Sequence, residues 1–201
     1  MKKLLPLLVL FVVLFSCEKD NTNPENPNSG TDTLAIYFIN DQHGQLENFA
    51  KIKHIVDGEK DTNQHVLLVC AGDMFSGNPV VDQYEEKGYP MIDIMNQTGF
   101  DVSILGNHEF DYGQKFLDKR MKQAEFSWIC ANIDTESSDL SQPDPFTTIE
   151  VGDLKVTFLG LVETEGSPTK TIPLTHPWKV TGISFTNYLE SIKDYTDLKS
   201  E

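Results

Sequence analysis

The sequence predicts an α/β domain built on a parallel sheet, and three observations carry that prediction. Short runs rich in apolar and β-forming residues recur at Leu34–Asn40, Val66–Cys70 and Val102–Leu105. Segments with helical spacing separate them. Each run ends at a polar, glycine-containing motif: Asp41-Gln42-His43-Gly44, Gly72-Asp73, and Gly106-Asn107-His108-Glu109. Strands alternating with helices imply right-handed parallel crossovers, and such sheets gather binding residues beyond the carboxyl ends of their strands.

Leu34–Asn40 alternates in polarity and reads as the first strand. Apolar residues at 46, 49, 52, 55 and 56 make a helical stripe, with Gly58 as its stop. Val66–Cys70 is continuously apolar, as a strand covered on both faces should be. Val80–Glu86 and Pro90–Thr98 read as helices, the second with Pro at its start and Gly99 at its end. Val102–Leu105 is the third strand, and Gln114–Ala124 a helix with Phe116, Leu117, Arg120 and Met121 at helical spacing. Ser127–Ala131 is the fourth strand. Phe146–Val151 and Leu154–Leu161 flank Gly152-Asp153 and read as a β-hairpin. Residues 135–145 and 163–182 are loop-like, and Asn187–Lys199 is a last helix. His43 to Asp73 and Asp73 to Asn107 are each about one βαβ unit apart, so the fold would gather residues distant in sequence.

The chain has 201 residues, enough for one domain and a targeting segment. Lys and Arg number 16 against 31 Asp and Glu, a net charge of −15. An acidic surface argues against binding of a nucleic-acid duplex, which wants a basic face. An anionic ligand would have to be drawn in by local positive charge, which bound metal ions would supply.

Residues 1–16 read as a lipoprotein signal peptide. Lys2 and Lys3 precede the apolar run Leu4–Phe15, which is too short to span a bilayer. Leu14-Phe15-Ser16-Cys17 resembles the bacterial lipobox, although Phe15 stands where a small residue is usual. On this reading Cys17 is the lipidation site and the chain is expected on the bacterial cell envelope, periplasmic or at the outer-membrane surface, with an ordinary signal peptide and a chance Cys as the alternative. Residues 17–32 read as a disordered tether, since the stretch after Cys17 has no apolar residue beyond Pro and Gly. Residues 33–201 form the domain. Cys70 and Cys130 end apolar runs and read as buried free thiols, with a disulfide as the alternative.

The strand-end motifs carry the chemistry. Asp41 and His43 sit at i and i+2, so an extended segment lets both reach one ion. Taken alone, Asp-x-His reads first as a polar turn after a strand and is a weak sign of a metal site. Asp73 could bridge two cations through its two oxygens, or accept backbone N–H bonds as a strand-end residue. Asn107 offers a neutral carbonyl oxygen, or an N-cap. His108 is then free to face a substrate, with Asp111 orienting the imidazole and favouring its protonated form.

Together, Asn40–Gln45, Ala71–Gly77, Leu105–Gly113 and Ala131–Ile133 resemble the calcineurin-like metallophosphoesterases, in the branch of 5′-nucleotidases and cyclic-nucleotide phosphodiesterases. The resemblance runs from about Leu34 to the end and covers the N-terminal part of that family's catalytic domain. It implies a layered α/β sandwich of α-β-β-α type, incomplete in this chain. It also implies roles: Asp41 and His43 on a first metal, Asp73 bridging, Asn107 on a second. His108, paired with Asp111, would stabilise the transition state or protonate the leaving oxygen. Two divalent ions, Zn, Mn or Fe by their ligands, would activate water for attack on the phosphorus of a nucleotide-like ester.

The family pattern continues with Ser-His and Gly-His-x-His segments that the chain does not reach before Glu201. The first metal site would keep three ligands and the second two, so the isolated chain is expected to be impaired. Val156–Leu161 would keep an uncovered face. Two other readings stand beside a truncated enzyme: a non-catalytic remnant or binding lipoprotein, and a half-enzyme completed by another chain. His54, His65 and His176 match no motif and read as solvent-facing or structural. Trp128 reads as core, and Trp178 as packed on the domain or touching a partner.

Overall fold

The computed structural model describes residues 33–166 and 170–200. The signal peptide, Cys17 and the tether expected over residues 1–32 lie outside the described residues. Four parallel strands form the main sheet: β1 (Ala35–Ile39), β2 (Val66–Cys70), β3 (Val102–Ile104) and β4 (Ser127–Ile129), in that spatial order. Helices α1 (Phe49–Lys60), α2 (Pro79–Asp82), α3 (Tyr89–Thr98) and α4 (Gln114–Gln123) occupy the crossovers. Short strands β5 (Ile133–Asp134) and β8 (Ser184–Phe185) pair antiparallel, as do β6 (Phe146–Val151) and β7 (Leu154–Leu159), with α5 (Tyr188–Ser191) near the end. The alternating α/β order is the one the sequence implies. Among the described residues no helix is long and apolar enough to cross a membrane.

The register is set by hydrophobic burial. Leu68 and Cys70 of β2 pack with Met91, Ile92 and Met95 of α3, Phe49 and Val56 of α1 and Leu117 of α4 in one core. Leu67 is buried on the other face, which is why β2 carries an unbroken apolar run. β1 is an edge strand. Its Ala35, Tyr37 and Ile39 pack on the core, whereas Ile36 and Phe38 point away and Phe38 is 71% exposed. Trp128 is core, and Cys70 and Cys130 are buried thiols that form no disulfide.

Several boundaries differ from the sequence reading. Helix α1 runs through Gly58, because a glycine on an exposed helical face weakens the helix without forcing a stop. The expected helix over Val80–Glu86 shrinks to α2: Asn78 caps it and Pro79 starts it, but the chain bends after Gln83. The last helix is one α turn followed by a 3-10 segment, Ile192–Ser200, with Tyr195 at a non-helical φ of −117°. β7 stops at Leu159 because Gly160 crosses to β4, its carbonyl accepting from Ala131 N–H at 2.7 Å. The face of β7 bearing Thr157 and Leu159 lines a groove of about 500 Å³ with Ile192 and Tyr195, so it is partly covered. The strands β5 and β8 are too short for any periodicity to announce them.

Candidate active site

The sequence motifs converge at the carboxyl ends of β1, β2 and β3. The parallel pairing of β1 and β2 does not end with the strands. Ala71 N–H donates to Ile39 O, Asp41 N–H to Gly72 O, His43 N–H to Asp73 O and Gly44 N–H to Met74 O, at 2.8–3.2 Å. This zipper places Asp41 and His43 beside Asp73. Asp41, His43, Asp73 and Ser76 all take left-handed backbone, with φ between 46° and 57°. Each such residue costs on the order of 1 kcal/mol. Four of them within two adjacent loops mark the site as the place where local strain is held by the surrounding fold.

Two glycines let the next loop close in. A Cβ on Gly72 would lie 2.8 Å from the Gly106 nitrogen, and one on Gly106 would lie 2.8 Å from the Asp73 nitrogen and overlap its carboxylate. Their absence of side chains brings the loops after β2 and β3 into contact. Glu109 then fastens them. Its carboxylate is fully buried and accepts three backbone N–H groups: Asp73 at 2.9 Å, Met74 at 2.8 Å and Gly106 at 2.7 Å. Burial pushes the Glu109 carboxyl up to about 7, with the Asp73 charge adding and the three N–H donors pulling back.

His43, Asp73 and His108 can each present one ligand atom so that all lie within 4.8 Å of one another. The two imidazoles meet edge-on with centroids 4.6 Å apart. Asp41 Oδ1 stands 3.6 Å from His43 Nε2 and lies outside that group of three. Asp73 Oδ1 accepts the His108 N–H at 3.0 Å, which leaves its second oxygen for another partner. Asn107 precedes the 3-10 turn His108–Phe110 but makes no side-chain cap bond. Its Nδ2 donates instead to Leu174 O at 3.0 Å, leaving Oδ1 as the open end of the amide. Two imidazoles and a carboxylate at this spacing form a donor set that suits a divalent transition ion.

His108 and Asp111 pair as the sequence led us to expect, Nδ1 to Oδ2 at 2.7 Å. Partial burial by itself would lower the His108 pKa. The bond to Asp111, its charge, and those of Asp73 and Glu109 outweigh that and raise it. Ser76, for which the sequence suggested no role, donates to Asp111 Oδ2 at 2.5 Å and lies 3.2 Å from His108 Nδ1. Tyr112 hydroxyl accepts the Ser76 N–H at 2.9 Å and bonds to Asp82, fixing the loop that carries Ser76.

Of the histidines outside the motifs, His54 is exposed on α1 and His65 precedes β2, at the far end of the strands. His176 is exposed but lines a cavity of about 390 Å³ with His108 and Asp111. A solvent-facing reading of His176 is therefore incomplete. Sequence spacing gave no sign of this, because His176 stands 65 residues beyond Asp111, in a loop without periodicity. Glu109 was visible only as a letter within Gly-Asn-His-Glu. An acid between a histidine and a buried phenylalanine is the one clue to its inward direction.

The calcineurin-like phosphoesterase family model matches residues 34–193. The chain is 35% identical over 100 residues to the trifunctional nucleotide phosphoesterase YfkN of Bacillus subtilis, covering 45% of this chain and 7% of that protein. It is 29% identical over 181 residues to the snake venom 5′-nucleotidase of Gloydius brevicauda, covering 80% of this chain and 30% of that one. The crystal structure of a 5′-nucleotidase precursor from Thermus thermophilus superposes with a TM-score of 0.70 at 25% identity, over 83% of this chain and 35% of that one. The chain thus spans about a third or less of the length of these relatives. The family match reaches from β1 to beyond α5 and includes every strand-end motif, so the chain belongs to the calcineurin-like phosphoesterases.

Proposed function

We propose that the chain carries part of the active site of a metal-dependent phosphoester hydrolase of 5′-nucleotidase type. The observation that carries this reading is the convergence of His43, Asp73 and His108 at the strand ends, with His108 tied to Asp111. In this reading Asp41 and His43 hold one divalent ion, Asp73 bridges, and Asn107 offers Oδ1 to a second. Zn, Mn or Fe suits these donors. The ions, when bound, supply charge neutralisation and an activated water. The chain's own residues do the rest. In this reading the Asp111 carboxylate would hold the proton on His108 Nδ1 and leave Nε2 for the ester. The raised pKa favours the protonated ring, which would serve the leaving oxygen. Ser76 holds Asp111 in line.

A second reading has one ion bound by His43, Asp73 and His108 together. The 4.8 Å spacing favours it for this chain, and it would make His108 a ligand instead of a proton donor. Titration calorimetry with Zn²⁺ separates the two through stoichiometry and through His108→Ala, which should weaken a single three-ligand site sharply. Mn²⁺-dependent hydrolysis of bis-p-nitrophenyl phosphate and AMP, against an Asp73→Ala control, tests the activity. Turnover equal to the control, in folded protein that binds metal, would favour a binding lipoprotein or an enzyme completed by another chain.

Cys17 as a lipid anchor, with residues 1–16 removed and 17–32 as tether, belongs to the same proposal and puts the protein on the bacterial envelope. Metabolic labelling with a radioactive fatty acid tests it, and Cys17→Ser should abolish the label.

A further inference from the structure

The loop after β2 takes left-handed backbone at two successive residues, Ser76 (φ 57°) and Gly77 (φ 110°). Their N–H groups are both taken by one pair of side chains. Ser76 N–H donates to the Tyr112 hydroxyl oxygen at 2.9 Å, and Gly77 N–H donates to Asp82 Oδ2 at 3.1 Å. The Tyr112 hydroxyl donates in turn to Asp82 Oδ1, which closes a ring of bonds around the Ser76–Gly77 peptide. Asp82 ends α2 and Tyr112 follows the His108 turn, 30 residues away in sequence. Both are themselves held. Lys87 Nζ donates to Asp82 O and lies 5.7 Å from the centre of the Tyr112 ring. That ring packs on buried Phe75, with centroids 5.5 Å apart.

The peptide so held touches the site on two sides. A Cβ on Gly77 would stand 3.0 Å from His43 O, so the loop lies against His43. The Ser76 hydroxyl donates to Asp111 Oδ2 at 2.5 Å, the same oxygen that pairs with His108 Nδ1 at 2.7 Å. Ser76 Oγ and Asp111 therefore meet His108 at one ring nitrogen, the hydroxyl at 3.2 Å. In a nucleophilic triad the serine and the acid occupy opposite nitrogens, so Ser76 serves the carboxylate and is no nucleophile. Left-handed backbone at a serine costs on the order of 1 kcal/mol, and it persists only where the surroundings fix it. Without its ring of bonds the Ser76 backbone would relax and carry the hydroxyl away from Asp111. We propose that Asp82 and Tyr112 are positioning residues for the His108 imidazole, acting through Ser76 on Asp111. This deepens the hydrolase reading and rests on it for the use of His108 at the leaving oxygen. The placement of the ring is a property of the chain without metal.

Nitrogen-edited NMR of the full chain tests the placement. The chain is freed of metal by a chelator and held at a pH above the titration of His108, where the nitrogen shifts tell the two neutral tautomers apart. His108→Ala assigns the signal. The Nδ1–H form should dominate, because Asp111 accepts there. Tyr112→Phe keeps the ring on Phe75 and removes only the hydroxyl. It should lower the ratio of Nδ1–H to Nε2–H about fivefold, the equivalent of one hydrogen bond. Asp82→Ala and Ser76→Ala should each do the same, and the Tyr112→Phe, Ser76→Ala double variant should fall no further, since both act along one path. Asn96→Ala breaks two bonds at the far end of α3 and should lower stability without moving the ratio. An unchanged ratio in Tyr112→Phe, losses that add in the double variant, or an equal fall in Asn96→Ala would each overturn the proposal. Hydrolysis of bis-p-nitrophenyl phosphate bears on the hydrolase reading alone. Absence of turnover with the expected ratios removes that reading and leaves the positioning standing, and turnover with unchanged ratios does the reverse.

Discussion

The side chain of Glu109 is the buried acceptor of the Asp73 backbone N–H, at 2.9 Å. One carboxylate thereby sets the backbone direction of the residue most central to the ligand group. It also receives Met74 and Gly106, so it joins the loops after β2 and β3 where no secondary structure can.

Replacing Glu109 with Gln keeps the shape and turns an N–H₂ group toward backbone donors. Buried N–H groups lose their acceptor, and the chain should lose about 2 kcal/mol of stability, read by urea unfolding. The same group makes stability depend on pH. Its folded pKa of about 7 stands above the ordinary 4.5, so between these values the native state holds more protons than the unfolded chain. Its contribution is fully present below 4.5 and declines as pH rises through about 7. Glu109→Gln should remove this part of the slope.

Gly106→Ala should fail for a steric reason. The new Cβ would sit 2.8 Å from the Asp73 nitrogen and against its carboxylate, with backbone on the other side of the contact. Forced separation of the two loops should cost about 2 kcal/mol. Zn²⁺ affinity should fall with it, since Asp73 moves. Calorimetry on a variant shown by circular dichroism to be folded checks both.

Asp111→Asn should lower the pKa of His108. The bond and the charge of Asp111 both act to raise it, and burial then works unopposed by them. A histidine with a raised folded pKa stabilises the fold at low pH and loses that contribution as pH rises through the folded value. The variant should therefore shift this loss to lower pH. Nitrogen-edited NMR of the imidazole through a pH series is the direct measurement. An unchanged His108 titration would show that the 2.7 Å pair is not formed in solution.

Phe38→Ser should leave stability within about 0.5 kcal/mol, because the side chain is 71% exposed. β1 is an edge strand with Ile36 and Phe38 on its open face, an arrangement that invites association. Light scattering of concentrated protein should fall in the variant.

The sequence by itself determined the order of the first four strands and the helices between them, because burial on one or both faces writes a period that residues 34–129 obey. It also determined the motifs and where they stand on those strands, since each is a strand end. Tertiary structure decided what those residues touch. The zipper from Ala71 to Gly44 brings His43 to Asp73, and the closeness of Gly72 and Gly106 brings His108 to both. Glu109 faces inward because a turn directs it there, and its partners are backbone groups that sequence does not distinguish. His176 comes to His108 across a loop with no periodicity to read. Local pattern reports which face of an element is buried, whereas contacts between loops depend on closures that only the assembled chain fixes.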